Sequence, residues 1–351
     1  MSSTDSAKRW GLHTARALRV RARELGASEY LIKDFLPVRS TALLVGDSGL
    51  GKSPLVYQIG ICIASGLRFL GKETTKGSVV LADFENGIED MCEMSERISR
   101  YLDLPEPPDG FSLWTPGMCD QRYGQPGHTL LDMVRDVSPR LVIVDSLGSF
   151  APDAELKNPD ATRMLQEFRA LRKVGTATLL VHHRRKQPRK AEESAGPLEH
   201  AILRQWFQDA RGASALINGS DVRLGVDETD LSPVGKAEDA LVLRGFGRVR
   251  GEIGPFYLTR DADESGDPMG YRRLLGPELL GNESQKDALA SLPPQFTFKE
   301  AKAAYRRTDQ PTKNFLDHCI DLGLVEKVRR GHYEKVAPKN GESDGVSGED
   351  A

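Results

Sequence analysis

Cysteine is scarce in this chain, with four residues in 351, at Cys62, Cys92, Cys119 and Cys319. None forms a C-x-x-C pair or a nearby Cys/His cluster, which excludes a zinc module of ordinary ligand spacing and a disulfide scaffold. Reduced thiols in a cytosolic protein are the expectation. Long apolar runs are missing as well: none approaches the ~20 residues of a membrane helix. The strongest, such as residues 141–144, have the length of a buried strand, and no apolar signal segment follows Met1. Neither sign of charge dominates, since 48 Lys and Arg stand against 51 Asp and Glu for a net charge of −3. That balance excludes a uniformly basic nucleic-acid coat and leaves room for a local basic patch.

What is present is a soluble composition, 39% hydrophobic and 28% charged, in a length that accommodates about two domains. Residues 8–23 are rich in Arg and poor in acid, as transit peptides are. Leu12, Ala15, Leu18, Ala22 and Leu25 nevertheless fall at helical spacing before Gly26, and the segment reads as a docking helix over residues 1–27. A short lead-in at 29–37 precedes an alternation of elements. Strands are expected at 41–45, 78–84, 140–144 and 176–182, and helices at 52–65, 87–102, 128–137 and 159–174. Such alternation indicates an α/β fold, a mostly parallel sheet covered on both faces. Residues 241–260 read as further β-structure, closing the first domain near 280. The tail at 337–351 is Gly, Ser, Asp and Glu with little apolar content and reads as disordered.

Gly46-Asp47-Ser48-Gly49-Leu50-Gly51-Lys52-Ser53 fits G-x-x-x-x-G-K-[ST] without a gap. Glycines let the backbone wrap phosphate oxygens closely, while loop N–H groups and the positive end of the following helix bind the anion. Lys52 reaches the β- and γ-phosphates in this reading, and the Ser53 hydroxyl ligates Mg²⁺. Pro54 falls in the first helical turn, where its missing N–H costs little. The pattern is a phosphate loop and not G-x-G-x-x-G, which removes the dehydrogenase reading.

A second carboxylate-bearing strand tip is required, and Leu141-Val142-Ile143-Val144-Asp145 supplies Asp145 for the metal shell. The apolar strand 79–84 ends in Asp83-Phe84-Glu85, where Glu85 is the candidate general base and Asp83 the alternative. His182 and His183 end the next apolar strand, where a polar residue can sense the γ-phosphate. No third ligand stands at a spacing that would make them a metal site. Beyond them lie Arg184, Arg185, Lys186, Arg189 and Lys190, then Trp206-Phe207. These fit either a grip on single-stranded DNA with aromatic stacking or a solvated linker whose Trp206 packs on the core.

The order of these elements resembles the RecA-like P-loop ATPases, and within them the RepA-type hexameric helicases of plasmids and phages. The residues that carry the resemblance are Glu29-Tyr30-Leu31-Ile32, the phosphate loop, Asp83-Phe84-Glu85-Asn86, Val144-Asp145-Ser146-Leu147, Leu180-Val181-His182-His183 and Arg211-Gly212-Ala213-Ser214-Ala215. It covers residues 28–276. The resemblance implies ATP as the nucleotide, a homo-oligomeric ring with shared active sites, Glu85 as base and His182 as γ-phosphate sensor. It further implies an arginine finger from the neighbouring subunit, with Arg211 one candidate and the Arg248–Arg250 pair the other. DNA would pass through the ring.

Residues 282–336 read as a separate winged-helix-like module, three short helices and a hairpin around Arg329-Arg330-Gly331. Residues 296–336 carry nine Lys and Arg against six Asp and Glu. Lys313 on the third helix and Arg329 and Arg330 on the wing are the candidate duplex contacts; a protein-binding module is the competing reading. For the whole chain, a DNA-acting ATPase competes with a regulatory ATPase that switches a protein partner. A DNA-binding regulator using ATP only for assembly is disfavoured by Glu85, which a pure binder does not need.

Overall fold

The structure, a computed structural model, describes residues 13–24, 30–114, 130–184, 196–210, 212, 214–229, 240–248, 251–265, 268–280 and 282–336. Helix α1 (Ala15–Glu24) comes first, and its side chains at positions 15–20 are exposed. The expected lead-in is a small antiparallel hairpin, β1 (Tyr30–Ile32) with β2 (Leu36–Pro37). The expected alternation then follows as β3 (Thr41–Gly46), α2 (Lys52–Ser65), β4 (Val79–Asp83), α3 (Ile88–Tyr101), β5 (Phe111–Trp114), α4 (Leu130–Val137) and β6 (Leu141–Asp145). Two short helices, α5 (Leu147–Phe150) and α6 (Pro152–Leu156), lead into α7 (Asn158–Ala170) and β7 (Ala177–His183). The chain continues through α8 (Leu203–Trp206), α9 (Ser214–Gly219) and four strands: β8 (Val222–Glu228), β9 (Leu241–Gly247), β10 (Gly251–Ala262) and β11 (Pro268–Arg273). Of these four, β8 and β11 are not legible as strands in the sequence.

Nine strands form one mixed sheet in the order β11-β10-β9-β8-β3-β7-β6-β4-β5. From β8 to β5 all neighbours are parallel; β9, β10 and β11 extend the sheet antiparallel. Strand β3 lies between β7 and β8, and its residues are buried on both faces. Ala42 and Leu44 join the core under α2, while Leu43 and Val45 join the core formed with α7 and α8. Burial on both faces is why these strands read as continuous apolar runs rather than alternating ones. The parallel arrangement also delivers the ends of β3, β4, β6 and β7 to one edge, where ligands of open α/β sheets bind.

Trp206 and Phe207 are fully buried in the second core and pack edge-to-face on each other at 5.1 Å between centroids. Of the two readings of this pair, stacking on DNA bases is corrected, and Trp206 packs on the core as the other has it. Arg184 lies 4.6 Å above the Trp206 ring and pairs with Asp227 at 3.4 Å, which also accepts the Trp206 indole N–H. These two contacts draw its guanidinium toward the fold. Arg185, Lys186, Arg189 and Lys190 lie outside the described residues.

The C-terminal segment builds a third core around Phe296, Phe315, Leu316 and Val325. Its elements are α10 (Glu283–Ser291), β12 (Gln295–Thr297), α11 (Phe298–Tyr305), α12 (Asp309–Asp321), β13 (Val325–Arg329) and β14 (His332–Lys335). The three strands pair in the order β12-β14-β13. Thr297 and Glu300 form a reciprocal capping box on α11, satisfying two N–H groups at its start. No helix among the described residues is long and apolar enough to cross a membrane.

Candidate functional site

The loop from Gly46 to Ser53 joins the end of β3 to the start of α2. At Gly46 a Cβ would sit 2.7 Å from the Val226 carbonyl oxygen of the neighbouring strand, so no side chain fits there. Gly51 has φ 75°, in the left-handed region, and immediately precedes the helix. Pro54 sits in the first turn of α2, where its lost N–H has no intrahelical partner to miss. Asp47, Ser48 and Gly49 are exposed and Leu50 is half-buried, so the loop opens to solvent while its flanks are fixed in the core.

Lys52 is buried, and its Nζ donates to the Asp47 carbonyl at 2.6 Å, folding back across the loop. Burial lowers its pKa; the carboxylates of Asp145, Glu85 and Asp47 oppose that shift. Asp145 is fully enclosed at the tip of β6, in register with Asp83 on β4. Ser53 lies close enough to its carboxylate to favour the ionised form. Burial pushes the Asp145 carboxyl up to about 6; Ser53 opposes this, Asp83 and Glu85 add to it, and Lys52 opposes it.

Because the folded pKa lies above the ordinary 3.8, the folded state holds this proton more tightly than the unfolded chain does. Its contribution is fully present below pH ~4 and is lost as pH rises through about 6. In ligand-free protein, Asp145→Asn is expected to add on the order of 2–3 kcal/mol of stability at pH 8 and almost none at pH 4. Denaturant unfolding at the two pH values checks this. An equal effect at both would contradict it.

Glu85 stands at the β4 tip beside these groups. Its Oε1 accepts from the Ser146 hydroxyl and lies 3.4 Å from His183 Nε2 and 3.5 Å from the Ser149 hydroxyl. The bond from His183 is the main cause that holds its carboxyl at about 2, against a burial effect of opposite sign, with Ser146 and Lys52 adding to the lowering. Asp83 has no such freedom. Its carboxylate accepts from the Tyr57 hydroxyl at 3.0 Å, the Glu85 and Asn86 backbone N–H groups at 3.0 Å and the Asn86 side chain at 2.8 Å. It organises the turn that carries Glu85, and the alternative of Asp83 as base is corrected.

The structure does not bring His182 to the loop. Its ring is fully buried, with Nδ1 3.8 Å from Glu155 Oε1. His183, paired with Gly46 across the β3–β7 ladder, is the histidine that faces the site. Its Nδ1 is 3.3 Å from the Ser48 hydroxyl and 3.4 Å from Lys52 Nζ, while Nε2 faces Glu85. Side chains alternate along a strand, so two adjacent histidines cannot share a face. Ser146 likewise escapes a motif reading that stops at Asp145. Among the described residues, no group of three or more His, Cys, Asp or Glu could hold a metal ion. Ser53 and Asp145 offer the few hard oxygen donors with which Mg²⁺ is held beside nucleotide phosphates.

A family model described as an AAA domain matches residues 9–189. The chain belongs to that family. The matched span takes in β3, the phosphate loop, Glu85, Asp145 and His183. AAA-domain membership makes the chain an expected NTPase, and P-loop AAA domains typically bind their nucleotide with Mg²⁺. No curated protein matches the chain.

Arg211 and Arg250 fall outside the described residues. Arg248 sits on the turn after β9, beside Gly247, which pairs with Val222 at the start of β8; Val222 in turn pairs with Ala42 near the start of β3. That is the edge opposite the phosphate loop, and Arg248 there donates to the Asn218 carbonyl at 2.6 Å. Lys313, Arg329 and Arg330 are exposed on the C-terminal segment, far along the chain from the loop.

Proposed function

We propose that the chain is a Mg²⁺-dependent ATPase of RecA-like type, acting as an oligomer in which neighbouring subunits complete each site. The observation that carries this reading is the convergence of Lys52, the Ser53–Asp145 pair, Glu85 and His183 at one sheet edge. Loop N–H groups and Lys52 would cradle the phosphates of ATP. Ser53 and Asp145 would hold Mg²⁺, which neutralises charge on the phosphates. Glu85 is placed to orient water and take its proton.

His183 is suited to sensing the γ-phosphate. A tautomer with Nδ1 accepting from Ser48 or Lys52 and the Nε2–H donating to Glu85 fits its present contacts. A phosphate oxygen only accepts hydrogen bonds. Its arrival at Nδ1 demands a proton there, which changes the His183–Glu85 contact and so links nucleotide state to the base. The sensing role expected of His182 passes to its neighbour.

Residues 28–280 would form the ATPase unit and 282–336 a second unit, its helices and β12-β14-β13 sheet arranged as in a winged helix. Arg248 lies at the edge opposite the chain's own loop, which suits a cation offered to another subunit, as Arg250 and Arg211 are in the RecA-like resemblance. A RepA-like helicase working as a hexameric ring on DNA is the finest form of this reading. Three observations favour the regulatory ATPase instead. Arg184 is paired with Asp227, Trp206 and Phe207 are buried, and the exposed residues of α12 include Asp317 and Asp321 against Lys313, with Asp309 paired to Lys302. An acidic helix face repels the phosphates flanking a major groove. The wing, with Lys327, Arg329 and Arg330, keeps a basic tip.

Steady-state ATP turnover, measured across protein concentrations with and without single-stranded DNA, separates these readings. Sites shared between subunits predict turnover per chain that rises with concentration. Stimulation by DNA supports the DNA-acting motor, and indifference to DNA supports the regulatory ATPase. A rate per chain independent of concentration would overturn the shared site.

A further inference from the structure

Strand β11 is the outermost strand of the sheet, four places from β3, yet it returns to the phosphate loop. The antiparallel extension curls so that β11 packs against α2 and α3. Gly270 lies so close to the Tyr101 ring of α3 that an added Cβ would sit 2.1 Å away. The next residue, Tyr271, is 2% exposed. Its hydroxyl is 3.1 Å from the Gly51 carbonyl oxygen and 3.4 Å from that of Leu50. Its own backbone is fastened to α2 by the buried Gln58 amide, which donates to the Tyr271 carbonyl at 2.8 Å and accepts from the Tyr271 N–H at 2.7 Å.

We propose that Tyr271 is a positioning residue for nucleotide binding, holding the Leu50–Gly51 carbonyls outward so that the loop's N–H groups stay aimed at the phosphates. A loop with glycine at 46, 49 and 51 is permissive by composition, and the Leu50–Gly51 peptide lies just ahead of the first helical hydrogen bond, from the Leu55 N–H to the Gly51 carbonyl. A rotated peptide would present a carbonyl oxygen to a phosphate oxygen in place of an N–H. The Tyr271 hydroxyl opposes that rotation: its single proton is shared between the Gly51 carbonyl at 3.1 Å, which also accepts the Leu55 N–H at 3.3 Å, and the Leu50 carbonyl at 3.4 Å. The same contact closes the space above Gly51, where a Cβ would stand 2.0 Å from the hydroxyl oxygen. Loop affinity for phosphate thus depends on a strand about 220 residues away in sequence. The gain is preorganisation, not a new contact to the ligand.

Behind the clamp the neighbouring residue is anchored as well. Arg272 pairs with Asp261 at 3.2 Å and Glu278 at 2.7 Å, and Asp261 accepts from the Tyr101 hydroxyl at 2.8 Å. These bonds set the height of β11 over α3 and leave little play at Tyr271.

The inference rests on residues 46–53 being the nucleotide site, and the experiment keeps the two separable. The full chain carrying Tyr271→Phe retains the ring and loses only the hydroxyl. KM for ATP and the dissociation constant for ADP by calorimetry are both expected to rise about 3- to 10-fold, the range of one net hydrogen bond. The kcat should stay within about twofold and the thermal midpoint of ligand-free protein should fall by no more than a few degrees, the size of one hydrogen bond, whereas a loss of general packing would lower it much further. Wild-type affinity in Tyr271→Phe, or a fall in kcat at unchanged KM, overturns the positioning role while leaving the nucleotide site intact. Failure of the wild-type chain itself to bind ADP overturns the site reading, and the clamp with it.

Discussion

Glu85→Gln is expected to lower ATP turnover by about 10²- to 10⁴-fold, the range for loss of a general base, while nucleotide binding is kept or tightened. The side-chain amide is the same size as the carboxylate, and its oxygen can still accept from Ser146 and His183. What disappears is the charge and the ability to take a proton. With its carboxyl held at about 2 before nucleotide enters, Glu85 is ionised throughout the working pH range but weakly basic. Repositioning of His183 by the γ-phosphate is what would raise its basicity. Removing a negative charge next to the phosphate position also relieves repulsion, which is why binding should not suffer. Phosphate release paired with equilibrium binding of ATP measures both effects. A turnover within tenfold of wild type would remove Glu85 from the role. Asp83 could not replace it, since its oxygens are committed to Tyr57, Asn86 and the turn backbone.

Lys52→Ala carries the second large effect. The lysine is buried among Asp47, Glu85 and Asp145, so its ammonium compensates a concentration of negative charge as well as reaching for phosphate. Deleting a single preorganised donor at a charged reaction centre costs about 10²- to 10³-fold in rate, and the loss here should fall in affinity also. The stabilisation that ATP confers on thermal unfolding, which follows from binding to the folded state alone, should vanish. The ligand-free variant should still fold, because the neighbouring carboxyl of Asp145 already lies near 6 and takes up a proton more readily once the cation is gone. A variant with an unaltered ATP-induced shift in its melting temperature would contradict the assignment of the loop.

Much of this site is legible in the sequence because its parts are local. The loop motif, the apolar strand ending in Asp145 and the strand ending in Asp83-Phe84-Glu85 each read from a window of a few residues. The choice between the two histidines does not, because it depends on the β3–β7 register that pairs Gly46 with His183. Strand β8 is hidden by Arg223 and Gly225 within its apolar run. Gly225 is explained by the Trp206 ring and Leu198, which a Cβ there would approach to 2.7 and 3.0 Å. The short strand β12 has three residues, too few for a period to register. Trp206 follows a basic segment in sequence and so invites a nucleic-acid reading; its burial and its bond to Asp227 are tertiary facts. Tyr271 stands furthest from local inference, since its value to the loop comes from the curl of a whole sheet.

In the proposed function, the cluster at the ends of β3, β4, β6 and β7 hydrolyses ATP. Its most direct test is phosphate release from ATP by the purified full chain with Mg²⁺, measured beside Lys52→Ala prepared in the same way. Turnover in the wild-type chain is expected, falling at least about 10²-fold in the variant. Equal rates in the two proteins, or no phosphate release by the wild-type chain at any protein concentration, with or without single-stranded DNA, would contradict it.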